Sequence, residues 1–236
     1  MLIAMNQPYF FPYIGYWQLI KSADVFVLMD DCQFINKGWV NRNRILVNGK
    51  PSFFRVEADH LDVRKNINDI RILPVNIEGK KNQLFAAYRK APYFNETMDL
   101  INDVLAFEDL NLASFLENSI RKVCSYLEID TKIVRSSDYE GNSSLKSQER
   151  IYDMCSHLGA DSYVNAIGGT TLYSFEEFKK RGIELKFINP KITSYKQFDN
   201  EFVSHLSIID MLMFMSKEEV IKCLENYSFV TGETYE

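Results

Sequence analysis

No stretch of this chain approaches the roughly 18 consecutive apolar residues that a membrane-spanning helix needs. The opening residues also lack the basic cluster and long apolar core of a secretory signal. The four cysteines, Cys32, Cys124, Cys155 and Cys223, are widely scattered and include no CxxC pair. That spacing points to free thiols in a reducing compartment rather than to a zinc knuckle or a disulfide framework. Repeats, linkers and low-complexity tracts are missing, as are a complete phosphate-loop signature, a catalytic triad and a metal-ligand cluster. With a formal charge of -5 and a pI near 5.4, the chain has no general excess of positive charge for a nucleic-acid partner, although a local basic patch is compatible with it. A soluble, cytoplasmic protein without DNA as a partner and without membrane insertion is the expectation.

What is present is apolar and aromatic: 46% hydrophobic and 14% aromatic residues, ample for a sizeable core and unlike a disordered chain. A single domain spanning residues 1–236 is expected. Its organising stretch opens with an apolar run, Leu2 to Met5, and passes into Gln7-Pro8-Tyr9-Phe10-Phe11-Pro12-Tyr13-Ile14-Gly15-Tyr16. A helical pattern (Trp17, Leu19, Ile20, Ala23) and a second apolar run, Val25 to Met29, follow, ending abruptly in Asp30-Asp31. This is the opening of a βαβ unit, and ligands of such sheets gather beyond the carboxyl ends of the strands.

Pro8 and Pro12 hold the first loop extended, and Gly15 permits close backbone approach where the loop enters the helix. The helix N-terminus behind it suits phosphate or carboxylate. Gln7, Tyr9 and Tyr16 are candidate contacts; a proline-stiffened turn with packed rings is the alternative. Asp30 and Asp31 follow a strand, so alternation would send one to each face. Either can hold a hydroxyl, an amine or a metal, or act as a base, and either can be a turn or cap residue. Gln33 and Trp39 lead into Asn41-Arg42-Asn43-Arg44, where Arg42, Asn43 and Arg44 form a strand entry able to grip phosphate bidentately, or else a solvated basic edge.

Asn48-Gly49 between apolar runs marks a hairpin. Residues 59–69, including His60, read as a loop able to cover a pocket, and Ile70 to Val75 as a strand. A helical middle section covers about residues 80–128, followed by a strand from Thr131 to Arg135. Ser147 belongs to a polar loop entering a helix near Leu145, where Ser144 and Ser147 can cap the helix or offer hydroxyls to an anion; an ordinary surface place for Ser147, Glu149 and Arg150 is the alternative. Gly168-Gly169, after the strand Ser162 to Ala166, offers close approach to backbone, with Tyr173 beside it. Asp210 falls in an apolar helix and should meet a partner, plausibly an arginine. The last twenty residues read as a short helix and a polar tail.

These residues carry a resemblance. Gln7 to Pro12 with Gly15-Tyr16, Ala23-Asp24-Val25-Phe26-Val27, Asp30 to Phe34, Trp39 and Asn41 to Arg44 resemble the opening signature of the WbqC-like family. The likeness returns at Leu158-Gly159-Ala160 to Tyr173 and at Leu206 to Asp210, so it covers nearly the whole chain. It implies an α/β Rossmann-like fold, a mostly parallel sheet flanked by helices, and a place among proteins of bacterial O-antigen and surface-polysaccharide assembly. The activity it implies is transfer of an aminoacyl (glycyl) group to the amine of a nucleotide-linked amino sugar, from an activated acyl donor. In that reading Asp30, Asp31 and Tyr9 are catalytic; Arg42 and Arg44 hold phosphate and Gln7 orients the acceptor. Met213-Phe214-Met215-Ser216 departs from the polar ending expected of the family. More distantly, the opening is similar to nucleotidyltransferase domains, whose paired histidines are replaced here by Pro12 to Tyr16. A nucleotidyltransferase or amide ligase using ATP and Mg²⁺ is thus one alternative, and a non-catalytic nucleotide-sugar binding module the other.

Overall fold

The two apolar runs at the start of the chain lie side by side as parallel strands, β1 (Leu2–Asn6) and β2 (Val25–Leu28), joined by helix α1 (Ile14–Lys21). The computed structural model that shows this describes residues 1–59, 62 and 64–232; His60 lies outside them. After a hairpin of β3 (Arg42–Val47) and β4 (Lys50–Arg55) come α2 (Ile77–Tyr88), α3 (Phe94–Leu105) and α4 (Leu112–Tyr126). The chain then returns to the sheet with β5 (Lys132–Arg135), α5 (Ser147–Leu158), β6 (Ser162–Ala166), α6 (Phe175–Lys180) and β7 (Glu184–Pro190). It closes with α7 (Ile208–Phe214), α8 (Lys217–Cys223) and β8 (Tyr227–Thr231).

The main sheet has the order β5-β2-β1-β6-β7-β8, with every pairing parallel except β7 with β8. The chain winds outward from β1 to one edge, crosses back beside β1, and winds outward again, so the topological switch lies between β1 and β6. This is a Rossmann-like α/β fold. Alternation along the strands divides the core into two layers. Ala4, Phe26, Leu28 and Val164 face Trp17, Ile20 and the helical middle section, whereas Ile3, Met5, Val27 and Tyr163 face Ile151, Met154 and Phe178 of α5 and α6. Side chains buried to this degree contribute about 1.5–3 kcal/mol each.

The hairpin forms at Asn48-Gly49, whose φ values of 49° and 73° are those of the tight turn that matches strand twist. Three sequence expectations need correction. Ile70 to Val75 is not a strand: Pro74 removes a donor, and only isolated bridges from Ile72 to Ala58 and from Arg71 to Asn111 form. The end of the chain is not merely polar tail, because Tyr227–Thr231 adds the antiparallel edge strand. Helix α5 begins at Ser147, behind Lys146 and without a side-chain cap, while the Ser144 hydroxyl donates to the Gly141 carbonyl at 2.7 Å.

The hairpin fixes the loop after β1. Asn43, on the inward face of β3, donates through Nδ2 to the carbonyls of Phe10 (3.3 Å) and Phe11 (3.0 Å), and the Phe10 N–H donates to the Val40 carbonyl at 3.0 Å. From the other side Ser207 donates its hydroxyl to the Phe11 carbonyl (2.7 Å) and the Ile208 N–H donates to Pro12 (3.0 Å). Phe11 is held at φ 41°, a left-handed conformation rare for a bulky residue. Asn43→Ala removes the donor to the Phe10 carbonyl and leaves Phe11 with Ser207 alone, and should lower stability by about 1–2 kcal/mol in urea unfolding; a change under about 0.5 kcal/mol would show the clamp to be idle.

Candidate functional site

Beyond the carboxyl ends of β1, β2 and β5 the chain places a dense polar cluster. Strand pairing of β2 stops at Leu28, so Asp30 and Asp31 lie in a turn, and the alternation expected to separate them no longer applies. Both carboxylates converge on Ser136, at the end of β5. Asp30, 2% exposed, accepts from the Ser136 hydroxyl (3.3 Å), the Ser137 N–H (3.1 Å) and the Ser137 hydroxyl (2.7 Å). Asp31 accepts from the Ser136 hydroxyl and forms a buried ion pair with Arg150 of α5. Arg150 also donates to Asn142 Oδ1 at 2.7 Å and to Cys32 Sγ at 3.1 Å. Arg150 is buried rather than a surface residue, and its guanidinium ties β2, the turn after β5 and α5 together. Burial raises the Cys32 thiol pKa, with Arg150 opposing part of that rise.

Gln7 and Tyr9 border this cluster. Gln7 Nε2 reaches the Gln33 carbonyl at 3.4 Å, and its Oε1 is buried without a hydrogen-bond partner among the described residues. Tyr9 is half-buried, its pKa raised by burial and then by Cys32 and Tyr13. Tyr16 lies inside: its ring packs 5.5 Å from that of Tyr9 and its hydroxyl donates to the Gln7 carbonyl at 2.9 Å. Its part is to shape the loop. The Tyr13 ring packs against Gly15 at the helix N-terminus, where a Cβ would sit 2.5 Å from it, so only glycine fits there.

On the far side of the Gln7–Tyr13 loop stand Trp39, Arg42 and Arg44. The arginines share the outward face of β3 and Asn43 the inward one, as the period of two requires. Arg42 lies over the Phe53 ring at 4.4 Å and Arg44 over Trp39 at 5.4 Å. Arg44 also donates to the His205 carbonyl (3.2 Å), while its Nε is buried and has no partner among the described residues. Among the described residues no carboxylate pairs with either arginine.

Across the switch, at the end of β6, the rings of Tyr163 and Tyr173 meet edge to face with centroids 6.1 Å apart. Gly169 packs so closely that a Cβ would meet Asn165 Nδ2 at 2.9 Å, whereas Gly168 is open. Ser147 is exposed at the start of α5, one turn before Arg150, at φ 49°. Asp210 lies elsewhere. Its partners are not arginines but Tyr88 (2.7 Å), Tyr195 (2.8 Å) and Gln197 (2.6 Å), which donate to a carboxyl whose pKa burial raises. Tyr88 in turn accepts from the Leu46 N–H at 2.7 Å, so Asp210 pins the hairpin to the helical section.

Ser136, Asn142, Arg150 and His205 were not among the sequence candidates. Ser136-Ser137 carried a usable signal, two hydroxyls at a strand's end; Arg150 carried a weaker one, adjacency to Ile151 on the apolar flank of its helix.

A Rossmann-like protein with a polar crest at its switch point and a basic, aromatic hairpin beside it is the class that this geometry defines. A sequence model of the WbqC-like protein family matches residues 7–222, and the chain belongs to that family. It is similar to the uncharacterized protein Rv1507c of Mycobacterium tuberculosis, with 26% identity over 231 residues covering 92% of this chain and 94% of that one. No solved structure matches. Among the described residues no helix is long and apolar enough to cross a membrane.

Removing one side of the Arg150–Asp31 pair leaves a buried charge. Arg150→Met should cost about 3 kcal/mol, and adding Asp31→Leu should recover most of it. Equal losses in the single and double variants, measured by chemical denaturation, would show that the pair is not what holds this turn.

Proposed function

We propose that the chain transfers an aminoacyl group, glycyl in the first instance, to the amine of a nucleotide-linked amino sugar in O-antigen or surface-polysaccharide assembly. The observation that carries this reading is the pair Arg42 and Arg44. Two guanidinium groups on one strand face, each against an aromatic ring and neither matched by a carboxylate, suit a diphosphate that brings its own charge. The unpartnered Arg44 Nε and Gln7 Oε1 add a donor and an acceptor that a bound ligand would satisfy.

In this reading Arg42 and Arg44 hold the diphosphate and Trp39 lies against a ring of the nucleotide sugar. Gln7 and Tyr9 orient the amine. The amine attacks the carbonyl carbon of an activated ester or thioester; the C–N bond forms, a carboxylate takes the amine proton, and the C–O or C–S bond breaks as the leaving group is protonated. Asp31 is better suited than Asp30 to take that proton, because Asp30 already accepts three hydrogen bonds in the interior. Arg150 then holds Asp31 in place rather than touching substrate.

The test is a transfer assay by mass spectrometry, with nucleotide-linked amino sugars and a glycyl thioester. Arg42→Ala and Arg44→Ala should each weaken nucleotide-sugar binding about tenfold to a hundredfold, and Asp31→Asn should lower turnover with binding retained. Full activity in Asp31→Asn removes the base from the scheme. Pyrophosphate release that depends on ATP and Mg²⁺ replaces it with ligase or nucleotidyl chemistry, and tight binding without turnover makes the chain a binding module.

A further inference from the structure

The segment from Phe34 to Val56 contains Lys37, Arg42, Arg44, Lys50 and Arg55 and not one Asp or Glu, in a chain whose formal charge is -5. The same segment supplies three of the exposed large hydrophobic residues, Ile35 (53% exposed), Trp39 (40%) and Phe53 (45%). Charge and exposed apolar surface thus coincide in one short stretch of the chain.

The geometry gathers them on one surface. Strand register sets Arg42 opposite Arg55 and Arg44 opposite Phe53, all on the outward face of the hairpin. The turn before β3 is tied to that face: the Gly38 N–H donates to the Ile35 carbonyl, and Arg42 Nε donates to the Gly38 carbonyl, each at 3.1 Å. Ile35, Lys37 and Trp39 therefore rim the arginines. Lys50 belongs to the tip and the opposite face. Glu57, just past the segment, partly neutralises Arg55 at 3.4 Å and meets Lys80 at 3.6 Å, but Lys37, Arg42 and Arg44 have no carboxylate partner among the described residues.

We infer that this face is a peripheral docking surface for an anionic phospholipid bilayer. Cations attract the lipid phosphates, and Ile35, Trp39 and Phe53 enter the headgroup boundary, where indole and arginine are both at home because each is apolar along its body and polar at its tip. Other occupants fit less well. An RNA strand needs successive stacking planes and a longer cationic track; Ile35 offers no plane, and the patch holds three unpaired cations. A second copy of this chain would bring like charge against like charge across a two-fold axis. Docking uses Trp39, Arg42 and Arg44, the side chains that the transfer reading gives to the nucleotide sugar, so a bilayer and a diphosphate would compete for this face; docking does not rest on the transfer reading and would hold for a chain that catalyses nothing.

The full-length protein should pellet with vesicles containing about 30% phosphatidylglycerol, should not pellet with phosphatidylcholine alone, and should be released by salt. The chain has two tryptophans, and Trp17 is fully buried, so a blue shift of emission on vesicle addition reports Trp39. Ile35→Asp and Lys37→Glu alter exposed side chains outside the proposed transfer machinery. Each should reduce vesicle affinity about fivefold or more while leaving the thermal midpoint unchanged. Absence of pelleting with anionic vesicles, pelleting of both variants as strong as that of the unaltered protein, or binding to single-stranded RNA without vesicle binding would each overturn the proposal. Loss of glycyl transfer with vesicle binding intact would instead strike only the transfer reading.

Discussion

The crest of this protein depends on carbonyl groups held from outside their own loop. Between β1 and α1 the chain runs through two prolines, so it cannot satisfy itself by forming a turn of helix. Phe10, Phe11 and Pro12 must find donors for their carbonyls elsewhere, and they find them in the Asn43 amide, the Ser207 hydroxyl and the Ile208 N–H. A buried carbonyl without a donor is costly, so the hairpin and the start of α7 are conditions for the loop to exist. This explains why residues far apart in sequence act together. The hairpin that presents Arg42 and Arg44 outward is the same element that clamps the crest inward, through the intervening Asn43.

A second constraint is the concentration of negative charge at the end of β2. Two adjacent carboxylates in a turn would repel each other if left bare. Here Ser136 bridges them, Ser137 saturates one, and Arg150 balances the other. The arrangement separates two otherwise similar residues by environment: Asp30 accepts from two neutral serines, while Asp31 shares Ser136 and is balanced by the Arg150 guanidinium, which also reaches Cys32. A chemical role for a carboxylate, if this crest performs one, follows from that asymmetry rather than from sequence order.

Much of this was legible in the sequence because the signals were local. Apolar runs such as Val25 to Leu28 gave the parallel strands, and Asn48-Gly49 gave the hairpin with its register. What escaped was set by tertiary contacts. Tyr227–Thr231 looks polar because an antiparallel edge strand needs only half a buried face. Ile70 to Val75 looks like a strand but, with Pro74 within it, finds only isolated bridges. Asp210 was expected to meet an arginine because a buried charge wants a counter-charge. Three neutral donors from distant segments served instead, and no spacing rule points to Tyr88, Tyr195 and Gln197. The convergence of Asp30 and Asp31 was missed for a related reason: the period of two holds only while the strand lasts, and β2 ends at Leu28.

The two arginines of β3 show why charge alone did not reveal their setting. In sequence they are two cations in an acidic chain, equally compatible with a solvated edge. In the fold each guanidinium lies over an aromatic ring, which restrains its orientation and shields one side from water. A solvated arginine gains little from such placement, since a surface pair with a carboxylate would serve solubility as well, and among the described residues no such carboxylate pairs with either. The acid-free sequence from Phe34 to Val56 keeps carboxylates of their own segment away from these restrained cations, a setting that the sequence alone carries and the ring contacts fix in place.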